Sequence, residues 1–206
     1  MDGLLIVMSG FSGAGKGTLM KRLMNDYDNY AFSVSMTTRA MREGEVEGKD
    51  YFFVTKERFE EEIKNDGLVE HAVYCDNYYG TPKAYVDAQL KAGKNVILDI
   101  EVQGAMQIKK KFPNALLIFV IPPSIEVLMK RLRARGTESE ETIQKRITQA
   151  KKEAEVIESY EYIVINDDLD TAVSQMHDII MSARFTPARR TEFIDKVRNE
   201  LKNICK

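Results

Sequence analysis

The sequence predicts an α/β fold: a parallel sheet flanked by helices, interrupted by a small β-rich insertion. Three observations predict it. Short, almost wholly apolar runs such as residues 96–100 and 115–121 alternate with longer segments of helical periodicity, the pattern of buried parallel strands joined by crossover helices. A glycine-rich turn joins the first strand to the first helix. Between residues 36 and 81 the texture changes to polar loops and short aromatic or alternating runs, which reads as an insertion with one helix of its own. At 206 residues the chain suits one domain with insertions.

Composition narrows the function classes. A hydrophobic content of 44% with 30% charged residues suits a soluble globular protein. The net charge of −2 gives no global pull towards nucleic acid or an anionic membrane, so neither is expected as a partner. An anionic ligand must be caught by a local basic cluster. Cys75 and Cys205 have no C-x-x-C spacing and no histidine cluster beside them, so a metal-thiolate site or disulfide framework is not expected. The first residues do not read as a signal peptide, and no apolar stretch approaches membrane-spanning length. These features together predict a cytoplasmic protein with reduced thiols.

Taken in order, residues 4–8 read as a buried strand. The chain continues Ser9-Gly10-Phe11-Ser12-Gly13-Ala14-Gly15-Lys16-Gly17-Thr18, and a helix opens at Lys16 with Leu19, Met20 and Leu23 on one face. Strand, glycine loop, helix is the context of a phosphate-binding P-loop. Its glycines let backbone N–H groups turn inward, the helix N-terminus adds partial positive charge, and Lys16 can reach outer phosphates. The match to G-x-x-x-x-G-K-[ST] departs at one position: Gly17 stands where the hydroxyl residue is expected, and the hydroxyl follows at Thr18.

Residues 25–30 are polar and close that helix, and 31–35 alternate as a half-exposed strand. Residues 37–45 form a polar loop, basic then acidic. A short aromatic strand is predicted over 51–54, a short helix over 56–66 with Phe59 and Ile63 four apart, and a second strand-like run over 68–75. The core resumes at Pro82, predicted as the first helical residue behind Thr81 as N-cap. Lys91-Ala92-Gly93 ends that helix. A buried strand over 96–100, a helix over 102–110 and a strand over 115–121 follow. Ser124 caps a helix with Ile125, Leu128, Met129 and Leu132 inward, broken at Gly136. Ser139 starts a longer helix with Ile143, Ile147, Ala150, Ala154 and Ile157 on one stripe. Residues 162–165 predict a last buried strand and 169–183 a helix. Beyond it, Thr186-Pro187 can start a helix with Phe193, Val197, Leu201 and Ile204 at helical spacing. Packing on its own core is the expected arrangement for that extension, and service to a partner the alternative.

The loop alone implies only a nucleoside triphosphate. Seven further stretches narrow this. They are Ser33-Val34-Ser35-Met36-Thr37-Thr38-Arg39-Ala40-Met41-Arg42-Glu43-Gly44-Glu45, Asp50-Tyr51-Phe52-Phe53-Val54, Val69-Glu70-His71-Ala72 and Asn77-Tyr78-Tyr79-Gly80-Thr81. Ile97-Leu98-Asp99-Ile100-Glu101-Val102-Gln103-Gly104, Arg131-Leu132-Arg133-Ala134-Arg135-Gly136-Thr137 and Ile165-Asn166-Asp167-Asp168-Leu169-Asp170 complete them. In this order and spacing they resemble guanylate kinases, from about residue 4 to about residue 183.

The resemblance implies an ATP:GMP phosphotransferase with Mg2+ as cofactor, taking ATP and GMP (and dGMP) as substrates. It makes residues 1–184 one domain, with 36–81 as a GMP-binding insertion and about 125–158 as a lid, leaving 185–206 as a helical extension. A homo-oligomer is left open. ATP is assigned to Gly10, Phe11, Ser12, Gly13, Ala14, Gly15, Lys16, Gly17 and Thr18, with Asn166 in a loop near the adenine. The GMP phosphate is assigned to Arg39, Arg42, Tyr51 and Tyr79, whose guanidinium forks and phenols suit a dianion. Glu70 is assigned to the base, because guanine offers two adjacent donors to a carboxylate. Ser35 and Thr81 take the remaining base atoms, and Glu101 the GMP side. Catalytic roles fall to Lys16, Arg39, Asp99, Arg131, Arg135 and Arg146, with Asp99 holding Mg2+ through water and Thr18 a candidate direct ligand. Phe11 and Gly17 depart from the family pattern, Phe11 standing where the family usually has proline.

Overall fold

The protein is described here from a computed structural model, which describes residues 3–74, 76–134 and 139–204. Along the chain the elements run β1 (Leu5–Gly10), α1 (Lys16–Asp26), β2 (Tyr30–Phe32), β3 (Met36–Thr37), β4 (Phe52–Phe53), α2 (Lys56–Lys64), β5 (Leu68–Tyr74) and β6 (Asn77–Pro82). They continue α3 (Lys83–Lys91), β7 (Asn95–Asp99), α4 (Val102–Lys111), β8 (Leu116–Ile121), α5 (Ile125–Ala134), α6 (Glu140–Ala154), β9 (Tyr162–Ile165), α7 (Leu169–Ala183) and α8 (Thr191–Ile204).

The central sheet has the order β2-β7-β1-β8-β9, with every pairing parallel. Residues 5–9 of β1, 95–98 of β7 and 116–120 of β8 are all buried, because helices cover both faces. The chain leaves β1 to reach β2 on one side. It later returns through β7 and crosses to β8 on the other side. That reversal opens a crevice beyond the carboxyl ends of β1 and β7, where open α/β sheets bind ligands. Met8 lies opposite Asp99 in the β1–β7 register, so the glycine loop and the Asp99 carboxylate emerge side by side.

The segment after β2 forms a second sheet of order β4-β3-β6-β5. β3 pairs β4 in parallel and β6 antiparallel, and β5 pairs β6 antiparallel. Helix α2 is capped by Thr55, whose side chain accepts from the Arg58 N–H. It packs fully buried Phe59 against Met36 and Leu68, a small core separate from the main one. Thr81 does not cap α3: it belongs to β6, and Pro82 occupies the N-cap position without a side-chain bond. The Thr81 hydroxyl is committed elsewhere, as shown below.

Burial corrects the sequence reading at several places. β2 starts one residue earlier than expected, at Tyr30, and Tyr30 and Ala31 are both buried, because β2 pairs with β7 and the Tyr30 hydroxyl bonds His177 Nδ1 of α7 at 2.9 Å. β9 is an edge strand, and only Val164 in it is buried. An apolar run does not distinguish a central strand from an edge strand. Ser124 does cap α5, accepting from the Val127 N–H at 3.2 Å, yet Ile125 is exposed and the helix buries Leu128 and Leu132. Ser139 caps α6, which buries Ile143, Ala150 and Glu153 while Ala154 is exposed. The predicted break at Gly136 lies outside the described residues.

Helix α8 buries none of its residues; Phe193, Leu201 and Ile204 are all exposed. It is therefore not packed on the core as the sequence led one to expect. A chain ending at Ile194 is expected to keep its melting temperature within about 3 °C of the full chain. A fall of about 10 °C or more in a thermal melt would contradict this.

Candidate active site

The P-loop is shaped by its glycines at two points. Gly10 has φ +154°, and a Cβ there would collide with the Val120 backbone of β8. Gly15, φ +94°, sits at the N-cap of α1 in the left-handed region, which L side chains rarely adopt. With no side chain at that cap, the helix opens without a side-chain acceptor. The Thr18 and Leu19 N–H groups bond the Gly15 carbonyl. The Lys16 and Gly17 N–H groups have no acceptor among the described residues and point out of the helix start. Gly17 is exposed, and a Cβ there would meet nothing within 4 Å. Phe11 anchors the loop in the core, packing edge-on against Phe119 at 5.4 Å between centroids.

Lys16 folds back over this opening. Its Nζ donates to the Gly10 carbonyl at 2.8 Å and lies 3.8 Å from Asp99 Oδ1. Three other residues brace the loop. Asn166 is buried and its Nδ2 donates to the Ala14 carbonyl at 2.8 Å. Arg131 of α5 donates to the same carbonyl at 3.3 Å and to the Asn166 carbonyl at 2.9 Å. Arg146 of α6 donates to Ser12 Oγ. The structure thus brings Arg131, Arg146 and Asn166 to the loop, the last by holding its backbone. Arg135 lies outside the described residues.

A second cluster faces the loop from the other sheet. Arg39 makes a two-pronged pair with Glu45, at 3.0 and 2.7 Å, which raises the guanidinium further and holds the Glu45 carboxyl below the usual range. The Arg39 guanidinium carbon lies 5.4 Å from the Tyr51 ring centroid, and Tyr51 meets Tyr79 edge-on at 6.0 Å. Burial pushes the Tyr51 hydroxyl up to about 12. Arg42 is exposed, and its backbone N–H donates to Glu45. Glu45 lies six residues from Arg39 in the loop that is basic, then acidic.

Deeper in the cluster, Glu70 of β5 is 2% exposed and Thr81 of β6 fully buried. The Thr81 hydroxyl donates to Glu70 Oε1 at 2.7 Å. Ser35 is buried nearby in sequence order ahead of β3, its carbonyl accepting from the Phe52 N–H. Burial raises the Glu70 carboxyl to about 7, opposed by the Thr81 bond and by Lys111.

Between the clusters lies an acidic patch. Asp99 is raised by burial, with Lys16 opposing. Glu101 is raised by burial to about 7, with Lys16 opposing and Glu153 and Asp99 adding repulsion. Glu153 of α6 is buried and raised for the same reason, and it accepts from Gln149 at 3.1 Å. Glu153 escaped the sequence reading, although it lies three residues from Ala150 on the inner face of α6. Among the described residues no cluster of three or more acidic, histidine or cysteine side chains could hold a metal. A cation here would rest on Asp99 and on ligand oxygens.

The Glu70 carboxyl, near 7 when folded against an ordinary value of 4.5, binds its proton more tightly in the folded chain. It is stabilising below about pH 4.5, and that contribution is lost as pH rises to about 7. Glu70→Gln is therefore expected to be the more stable protein at about pH 8, by on the order of 1–3 kcal/mol relative to its standing at about pH 5. Thermal melts of both proteins at both pH values check this; a difference independent of pH would contradict it.

A sequence model of the family described as guanylate kinase matches residues 3–183. Among solved structures, a guanylate kinase from Anaplasma phagocytophilum is 31% identical, with 91% of this chain and 89% of that chain covered and a TM-score of 0.76. A shikimate kinase from Bacteroides thetaiotaomicron is 18% identical, covering 86% of this chain and 98% of its own at a TM-score of 0.46. These last values are too low to bear on function. The family match spans the loop, the braced arginines and the second sheet alike, and the chain belongs to the guanylate kinase family of P-loop nucleoside monophosphate kinases.

Proposed function

We propose that the protein transfers the γ-phosphoryl group of ATP to GMP, giving ADP and GDP, with dGMP as a further acceptor and purine nucleotide metabolism as its setting. The observation that carries the reading is the pairing of two unlike sites across one crevice. One is a P-loop with unsatisfied helix-start N–H groups beside Lys16. The other is an arginine–tyrosine cluster leading to a buried carboxylate. Two phosphates and one guanine edge suit that arrangement.

In this reading the Lys16 and Gly17 N–H groups and the Lys16 ammonium bind the outer phosphates of ATP. Arg39, Arg42, Tyr51 and Tyr79 bind the phosphate of GMP. Glu70 accepts from N1–H and the 2-amino group of guanine, with Thr81 holding the carboxylate and Ser35 beside the base. A GMP phosphate oxygen attacks the γ-phosphorus as the bond to the ADP oxygen breaks. The GMP phosphate is already largely dianionic at neutral pH, since its second pKa is about 6, so no general base is needed to activate the attacking oxygen. Arg131, Arg146 and Arg135 neutralise charge spreading over the transferred group. Segments 36–81 and 125–158 act as the acceptor flap and the lid, excluding water from the phosphoryl group.

Mg2+ fits the residues present. Asp99 ends β7 at the crevice, and its side chain is 27% exposed. Burial leaves it in need of positive charge, which Lys16 alone supplies in part. A single carboxylate suits a hard cation held mainly by phosphate oxygens and water. Asp99 would hold it through water, and the exposed Thr18 hydroxyl is the nearest alternative to the one Gly17 lacks. When bound, the ion neutralises charge on the β- and γ-phosphates.

Lys16→Met is expected to abolish turnover, by about a hundredfold or more, while GMP binding survives in calorimetry. Near-normal turnover would overturn the P-loop assignment. Removal of divalent cation with a chelator is expected to stop the reaction, with Mg2+ restoring it; unchanged turnover would exclude the proposed cofactor. Glu70→Gln is expected to raise the KM for GMP by about tenfold or more and leave that for ATP nearly unchanged. Equal effects on both substrates would reject its role at the base.

A further inference from the structure

β5 is the outer strand of the second sheet, so its outer edge has no strand partner among the described residues. Such an edge must be closed by something else. One face of α4 closes it. Gln107 takes both backbone groups of His71: its Nε2 donates to the His71 carbonyl at 2.6 Å, and its Oε1 accepts from the His71 N–H at 3.3 Å. Lys111 Nζ donates to the Val69 carbonyl at 3.0 Å. Gly104 precedes these two at i, i+3, i+7 spacing, so the three share a helix face. It lies against the residue between the two bonded ones, Glu70.

That contact leaves no room for a side chain. A Cβ on Gly104 would lie 3.1 Å from Glu70 Cδ, closer still to Oε2, and 3.3 Å from Ile100 Cδ1. Gly104 sits inside α4 and outside the positive-φ positions, so glycine is not required there by backbone conformation. Inside a helix it is disfavoured relative to alanine. What it provides is space for one carboxylate oxygen, while the Thr81 hydroxyl fixes the other at 2.7 Å.

We propose that Gly104 is a specificity-determining positioning residue: the α4 face of Gly104, Gln107 and Lys111 sets the depth and orientation of the Glu70 carboxylate, and so the selection of the guanine edge. This rests on the reading of Glu70 as the group that meets the base. The atoms in the way of a Cβ belong mainly to the end of a flexible side chain. Gly104→Ala is therefore accommodated by Glu70 swinging aside, at the expense of its Thr81 bond and its pose, while the fold stays intact.

The experiment compares the full-length wild type, Gly104→Ala, Glu70→Ala and the double variant, by steady-state kinetics, calorimetric GMP binding and thermal melts. Gly104→Ala is expected to raise the KM and Kd for GMP by about tenfold or more, to leave the KM for ATP within about twofold, and to melt no lower than wild type. In the Glu70→Ala background, where nothing remains to be displaced, the same change is expected to alter GMP binding by less than about twofold. Unchanged GMP binding in Gly104→Ala would overturn the proposal. So would an equal rise for ATP, or the same loss in both backgrounds. Wild-type GMP kinetics in Glu70→Ala would overturn the base-reading role itself, a result separate from any behaviour of Gly104→Ala.

Discussion

The parallel pairing of β1 with β7 is the constraint on which the site depends. It sets Met8 opposite Asp99, so a loop built from backbone donors and a strand ending in a carboxylate open at the same level. Lys16 lies between them, 2.8 Å from the loop's Gly10 carbonyl and 3.8 Å from Asp99. The same pairing sends the chain from β7 into α4, whose face grips β5. The second sheet is thereby positioned against the P-loop by one helix that starts three residues after Asp99. A shift of β7 by one residue would move Asp99, Glu101 and the Glu70 support together.

Four cations of the crevice each have an acceptor nearby. Arg39 has Glu45, Lys16 has the Gly10 carbonyl and Asp99, Arg131 has two carbonyls, and Arg146 has Ser12. These acceptors hold long side chains near where phosphate oxygens would replace them, which lowers the ordering entropy to be lost on binding. The carboxylates show the opposite imbalance. Glu70, Asp99, Glu101 and Glu153 are all raised by burial. The proposed ligands offer these acids favourable partners: base donors for Glu70 and a hydrated cation for Asp99.

Much of this was legible in the sequence. Leu19, Met20 and Leu23 marked the inner face of α1, and the apolar runs marked β1, β7 and β8, because burial on both faces calls for continuous apolar residues. The glycine loop and Lys16 were legible because backbone geometry demands particular residues there. What stayed hidden depends on partners distant in sequence. β9 reads as buried from its composition, but it is the end strand of the sheet, and among the described residues its outer edge meets no strand. Thr81 before Pro82 looks like a helix cap, yet its hydroxyl belongs to Glu70 across the hairpin. Glu153, which no apolar stripe marks, is buried beside Glu101. The apolar stripe of α8 has helical spacing, yet the helix buries none of its residues. Gly104 shows nothing in sequence, since what it leaves room for is 34 positions away in Glu70.

The central claim is that a carboxylate in the second sheet selects the acceptor by its base. It is tested most directly by coupled ADP release with a panel of acceptors: GMP, dGMP, IMP, AMP and UMP. The account predicts rapid turnover with GMP and dGMP. IMP, which keeps N1–H but lacks the 2-amino group, should fall in kcat/KM by about tenfold or more, and AMP and UMP further still. Turnover of AMP or UMP as fast as that of GMP would contradict it.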